Sequence, residues 1–168
     1  MSRRSVSLKR LENPGPGPNE LERMIPVAFR APAHGGMRPW RAIEFGPAQR
    51  EQLAGIADRA RARKQATPPP VLLGVCGRAG GTIVPPRDQW LAAGAALGNW
   101  LNAAQQLAYG ASVLNGERCF EVTLSAQLDF SPDQSLAGFV RIGSIRNLPP
   151  AAAPVAVGVV VLDTPIHG

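Results

Sequence analysis

Asp88-Gln-Trp-Leu-Ala-Ala-Gly-Ala-Ala-Leu-Gly-Asn-Trp-Leu-Asn-Ala-Ala-Gln-Gln-Leu-Ala-Tyr109, continuing as Gly110-Ala-Ser-Val-Leu-Asn-Gly116, is the stretch that decides the fold. Its first part predicts a long helix, because Leu91, Ala95, Leu97, Trp100, Leu101, Ala104 and Leu107 spread apolar side chains around much of one cylinder. A helix so apolar belongs at the centre of a domain. Gly110 is placed to stop it, and Ala111 to Leu114 follows as a strand. Gly94 and Gly98 stand four residues apart and leave a smooth stripe. Another backbone could approach it closely, either within one subunit or from a dimer partner.

Outward from that helix the chain alternates. Asn19 with Glu22 suggests a capping-box start, and Leu21, Met24, Ile25, Ala28 and Phe29 then recur at helical spacing up to Pro32. Pro26 removes an internal hydrogen bond and should bend or shorten that helix. Arg41 to Phe45 predicts a strand, followed by a helix from Pro47 through Leu53, Ile56, Ala57 and Ala60. Pro68-Pro69-Pro70 makes a rigid connection into a buried strand, Val71 to Cys76, and residues 77–86 form a loop rich in glycine and proline. A short helix around Glu121 to Leu128 and a strand around Leu136 to Ile142 complete an α+β layout.

With 168 residues and an apolar fraction of 45%, the chain has material for one domain with a real core. Residues 1–168 are expected to form that single domain. The start reads Met-Ser-Arg-Arg rather than an apolar signal segment, and Val155 to Leu162 is too short to span a bilayer, so a soluble cytoplasmic protein is expected. Cys76 and Cys119 have neither metal-ligand nor disulfide spacing, and with His34 and His167 as the only histidines no bound metal is expected. The net charge of +6 comes almost wholly from arginine. A basic surface can bind nucleic acid, but the chain has few aromatics for stacking bases and no recognisable nucleic-acid module. The densest basic run, Arg59 to Lys64, suits the C-terminal end of a helix dipole.

The chemistry-bearing groups lie elsewhere. Arg3 and Arg4 beside Ser5 make a compact anion site, since a planar guanidinium forks onto phosphate oxygens and the hydroxyl supplies a further donor. Downstream, Arg30-Ala-Pro-Ala-His34-Gly-Gly-Met-Arg38-Pro39-Trp40 gathers an imidazole and guanidinium groups in a segment that cannot be regular helix throughout. Together with Tyr109-Gly110-Ala111-Ser112-Val113-Leu114-Asn115-Gly116, and in this order, these pieces resemble the FMN-dependent nitroreductase superfamily, most closely its small bacterial members. The likeness reaches to about Gly143; the tail beyond it does not match clearly.

That resemblance implies a mainly antiparallel sheet with flanking helices in an intertwined homodimer. It also implies FMN as cofactor and NAD(P)H as co-substrate. Arg3, Arg4 and Ser5 would contact FMN between its phosphate and the polar edge of its ring. Val113, Leu114 and Asn115 would lie along the ring. Arg30 and His34 would reach FMN bound chiefly by the opposite subunit. No protein side chain is required as acid, base or nucleophile, because the flavin carries the chemistry. The activity implied is hydride transfer from NAD(P)H through flavin to a nitroaromatic, a quinone or a similar small electron-poor acceptor. Two alternatives stay open. One is a related flavoenzyme acting on one particular substrate, or a trimmed member with weak or no activity. The other is a non-catalytic basic protein that binds nucleic acid.

Overall fold

The computed structural model describes residues 3–50, 53, 71–78, 84–115, 130–132, 134–148, 150 and 158, with 71–78 as backbone alone. One sheet contains β1 (Leu11–Glu12), β2 (Trp40–Glu44), β3 (Val71–Arg78), β4 (Gly110–Leu114) and β5 (Gln134–Ile145). Two long helices accompany it, α1 (Pro18–Ala28) and α2 (Pro86–Gln106). Every pairing between these strands is antiparallel, as an α+β protein of the expected kind requires.

β5 organises the sheet. β3 follows one edge of it, from Val71 opposite Ile142 to Arg78 opposite Gln134, and β2 lies outside β3. Along the other edge β4 comes first, with Leu114 opposite Phe139 and Gly110 opposite Gly143, and β1 continues at Ser144 and Ile145. Alternation along β5 then divides the core. Val140 and Ile142 face α1 and α2, where they meet Leu21, Met24, Ala28, Ala96, Trp100 and Ala104. Phe139 faces the other way and joins Phe45, Leu53 and Leu136.

The helix ends differ from the sequence reading. α1 starts at Pro18 behind Gly17, whose N–H donates to Glu20 Oε2 at 2.6 Å; Asn19 and Glu22 lie inside the helix and are not its cap. Proline at the first helical position needs no partner for its nitrogen, so the start is set there. Pro26 is exposed and the helix ends two residues later at Ala28. Ile25 is 38% exposed, so the inward stripe is Leu21, Met24 and Ala28.

α2 begins at Pro86 rather than Asp88 and stops at Gln106. The residue that turns the chain is Ala108, at φ 63, and not Gly110. Ala108 N–H donates to Gln105 O at 3.0 Å and Tyr109 N–H donates to Ala104 O at 2.9 Å, the double closure of a Schellman motif made without glycine. Gly110 serves packing instead. A Cβ there would stand 2.8 Å from both Ile145 Cγ1 and Leu11 Cδ2, so any side chain at this point would require those two side chains to shift. β3 also runs on through Gly77 and Arg78, two residues into the expected loop. Residues 47–50 are helical as anticipated. The rest of that helix, the basic run 59–64, Cys119, the helix proposed for 121–128 and most of the tail lie outside the described residues, as does the Cys76 side chain.

Candidate functional site

The Arg3-Arg4-Ser5 segment is an extended strap laid along β4. Val6, which is buried, donates its N–H to Ala111 O at 2.9 Å, and Ser5 bridges Ala111 in parallel sense. In extended backbone alternate side chains diverge. Arg3 and Ser5 share one side and are exposed, with Arg3 Nη1 donating to Ser5 Oγ at 3.4 Å. Arg4 takes the other side. It is half-buried and lines a cleft of about 90 Å³ with Leu101 and Gln105 of α2, Tyr109, Ile145 and Leu148.

The same strand carries the second sequence candidate. Val113, half-buried, packs against the main core; Leu114 packs on the opposite cluster; Asn115 is exposed just beyond the strand. Strands rise about 3.3 Å per residue, so the strap at Ala111 lies roughly 7–13 Å from Val113 to Asn115. Residues more than a hundred positions apart in sequence are thereby brought to one strand.

Arg30 and His34 occupy a loop whose two ends share one aromatic cluster. Phe29 stacks on Trp40 (centroids 5.8 Å, interplanar 19°) and meets Trp100 edge-on at 5.7 Å. Between those anchors Arg30, His34 and Arg38 are exposed. Gly35 and Gly36 have φ of 63 and 69, which is why a glycine pair follows His34. The turn lies near the start of α2, since a Cβ on Gly35 would come 4.0 Å from Val84 Cγ2.

The candidate residues therefore form two groups that one chain does not unite. The His34 turn sits by Val84, ahead of α2, whereas Arg4 sits by Leu101 and Gln105 near its end. With 21 residues α2 is roughly 30 Å long, so this separation is a large fraction of that length. Along α2, Leu91 is 63% exposed, Gly94 is exposed and Gly98 is partly so. A Cβ built on either glycine meets nothing within 4 Å. Among the described residues nothing packs closely on this stripe. The smooth face is uncovered among these residues, and it lies between the two groups.

Near the site lie Glu20, which the sequence does not single out, and Tyr109, which it offers only as the start of the Tyr109–Gly116 stretch. Tyr109 donates its hydroxyl to Glu20 Oε1 at 2.8 Å, joining the start of α1 to the start of β4. The Gly17 N–H and then the Tyr109 hydroxyl hold the Glu20 carboxyl below its usual range, and the same bond pushes the tyrosine upward. A depressed carboxyl contributes stability above its unfolded pKa and loses it as pH falls through the folded value. Replacing Glu20 by Gln should therefore lower thermal stability near neutrality, with the difference closing as pH falls below about 4.3, so that the acid limb is flatter. Melting temperatures of the two proteins across that range provide the check; parallel acid limbs would count against the bonding. Arg146 is engaged with Glu12 through Nε at 2.8 Å. Among the described residues no helix is long and apolar enough to cross a membrane, and no three His, Cys, Asp or Glu side chains gather as a metal site.

The Nitroreductase family model matches residues 1–144, which include every candidate residue named above. The chain belongs to the nitroreductase family. Solved structures of similar fold include a nitroreductase-like family protein from Bacillus cereus, with 17% identity, a TM-score of 0.78, and coverage of 92% of this chain and 88% of that one. An FMN-dependent nitroreductase from Clostridium difficile R20291 has 18% identity and a TM-score of 0.74, covering 96% and 95%. A nitroreductase with bound FMN from Bacteroides fragilis has 16% identity and a TM-score of 0.74, covering 95% and 94%. At such identities the likeness speaks for the nitroreductase fold. No curated protein matches the chain by sequence.

Proposed function

We propose that this nitroreductase-family chain is an FMN-dependent oxidoreductase that takes hydride from NAD(P)H and delivers it to a nitroaromatic, a quinone or another electron-poor acceptor. The observation that carries this reading is the strap: the backbone bond from Val6 to Ala111 lays Arg3, Arg4 and Ser5 beside the strand that ends in Val113, Leu114 and Asn115. The donor set suits FMN. It combines guanidinium groups and a hydroxyl for a phosphate with an apolar strand end for a flat ring. When bound, FMN supplies the hydride-accepting and hydride-donating centre.

Arg3 and Ser5, on one side of the strap, would hold one anionic group together, while Arg4 addresses the cleft side. Positive charge directed to the polar edge of the ring favours reduced, anionic flavin. Ligand sites commonly occupy about 300–1,000 Å³, far more than the cleft beside Arg4 offers. The site is completed, on this reading, by a second copy of the chain. Two α2 helices crossing on the Gly94/Gly98 face in opposite senses would bring the Arg30–His34 loop of one subunit to the strap of the other. The NAD(P)H partner and the acceptor would then use the same opening in turn.

Loss of Arg3 or Arg4 to Ala should weaken FMN binding, since a hydrogen bond to a charged group contributes about 1.5–3 kcal/mol. Flavin titration measures this, and unchanged affinity in both variants would leave the N-terminal arginines outside the site. Gly98→Leu separates the dimer from the fold. Leucine raises helix propensity by about 1 kcal/mol, and among the described residues nothing lies within 4 Å of its first carbon, so loss of the dimer with the fold retained points to a partner. Sedimentation should show monomers with reduced flavin content, whereas a stable dimer with full flavin would rule out this helix face as the contact. The activity itself is tested by NAD(P)H oxidation with an added quinone or nitroaromatic. Rapid flavin reduction and turnover are expected. A yellow protein that NAD(P)H reduces poorly would point instead to a flavoenzyme with its own specific substrate.

A further inference from the structure

We infer that Glu20, acting through Tyr109, is a positioning residue for the N-terminal strap, a role that deepens the flavin reading and rests on it only for its catalytic consequence. Glu20 uses both carboxylate oxygens. Oε2 accepts the Gly17 N–H at 2.6 Å and so fixes the start of α1; Oε1 accepts the Tyr109 hydroxyl at 2.8 Å. Tyr109 is the residue at which the chain leaves the Ala108 turn for β4, and it is the only tyrosine of the chain. Two residues on, Ala111 O accepts the Val6 N–H at 2.9 Å. The line of bonds thus runs from Glu20 to Tyr109, along two residues of backbone to Ala111, and across to Val6, which immediately follows Arg4 and Ser5. Tyr109 and Arg4 also share the walls of one cleft. A Cβ on Gly110 would crowd the Leu11, Val6 and Ile145 side chains, so the strap, β1 and β4 meet closely at this junction and its displacement is felt at the strap.

Because the hydroxyl proton is given to a carboxylate, Tyr109 offers the cleft its ring and not a donor. Its contribution to cofactor binding is therefore placement of Arg4. The pair should hold the strap whether or not a ligand is present, and this separates it from the flavin reading.

Amide hydrogen exchange across residues 3–8 of the ligand-free protein, together with FMN titration, tests the inference in Tyr109→Phe, Glu20→Ala, Glu20→Gln and the double variant Glu20→Ala/Tyr109→Phe. In Tyr109→Phe and Glu20→Ala, exchange at Val6 should rise about tenfold, the effect of losing one hydrogen bond to a charged acceptor. FMN affinity should fall by a similar factor. The double variant should be no worse than Glu20→Ala, because the Tyr109 bond is already lost there. Glu20→Gln keeps an acceptor oxygen and should retain most of the protection. Wild-type exchange at Val6 in Tyr109→Phe would overturn the inference, as would additive losses in the double variant. If the wild-type protein takes up no FMN, the flavin reading fails, and the exchange pattern still decides whether Glu20 and Tyr109 position the strap.

Discussion

An Arg3→Ala/Arg4→Ala chain and a His34→Ala chain, each with little activity alone, are expected to recover activity when mixed. If the strap of one subunit and the His34 loop of the other build each site, a heterodimer contains one site with every native residue and one with all the substitutions. Random exchange makes half the dimers mixed, so about a quarter of the wild-type sites should return. The expectation follows from the distance between the two groups along α2, a helix of 21 residues and roughly 30 Å. Native mass spectrometry must first show that subunits have exchanged. Confirmed heterodimers without recovery would mean that the sites are not shared and that the His34 loop serves another purpose.

Trp100→Ala should produce the largest loss of stability. Trp100 is fully buried, receives the Phe29 ring edge-on, and lies where α1, α2 and the sheet meet. Removing a buried tryptophan side chain costs about 3–5 kcal/mol, a large share of the 5–15 kcal/mol that holds a typical domain together. The consequence reaches the site as well. Phe29 directly precedes Arg30 and stacks on Trp40, so loss of the Trp100 ring loosens both ends of the loop that presents Arg30 and His34. Chemical denaturation should give a lower midpoint with a similar slope. A change under 1 kcal/mol would show that the aromatic cluster is not the keystone of this packing.

Much of the fold was legible because its signals are local. The spacing of Trp100 and Ala104 announced α2, and the strands at Arg41, Val71, Ala111 and Leu136 were found within a few residues of their bounds. The misses share a cause. Gly110 looked like a helix stop because glycine tolerates left-handed backbone, yet the turn falls on Ala108 and the glycine makes room for Leu11, Val6 and Ile145, which arrive from distant parts of the chain. Asn19 and Glu22 have capping side chains, but Pro18 fixes the start of α1 three residues before Leu21. β1, with two residues, carries no period that could be read.

The candidate site was legible in composition and not in arrangement. Nothing local in Arg3-Arg4-Ser5 says that the segment lies on β4, since that depends on one backbone bond to Ala111. The division of Arg3 with Ser5 from Arg4 follows only once the strap is known to be extended. Glu20 and Tyr109 are ordinary residues of a helix start and a strand start, and 89 positions separate them.

The absorbance spectrum of the purified protein, before and after addition of FMN and removal of the excess, tests the central claim most directly. The visible bands of bound oxidised flavin are expected, with one FMN per chain, and NAD(P)H should bleach them in the absence of oxygen. A protein that stays colourless after incubation with FMN would contradict the claim, and the strap of arginines on β4 would then need another ligand.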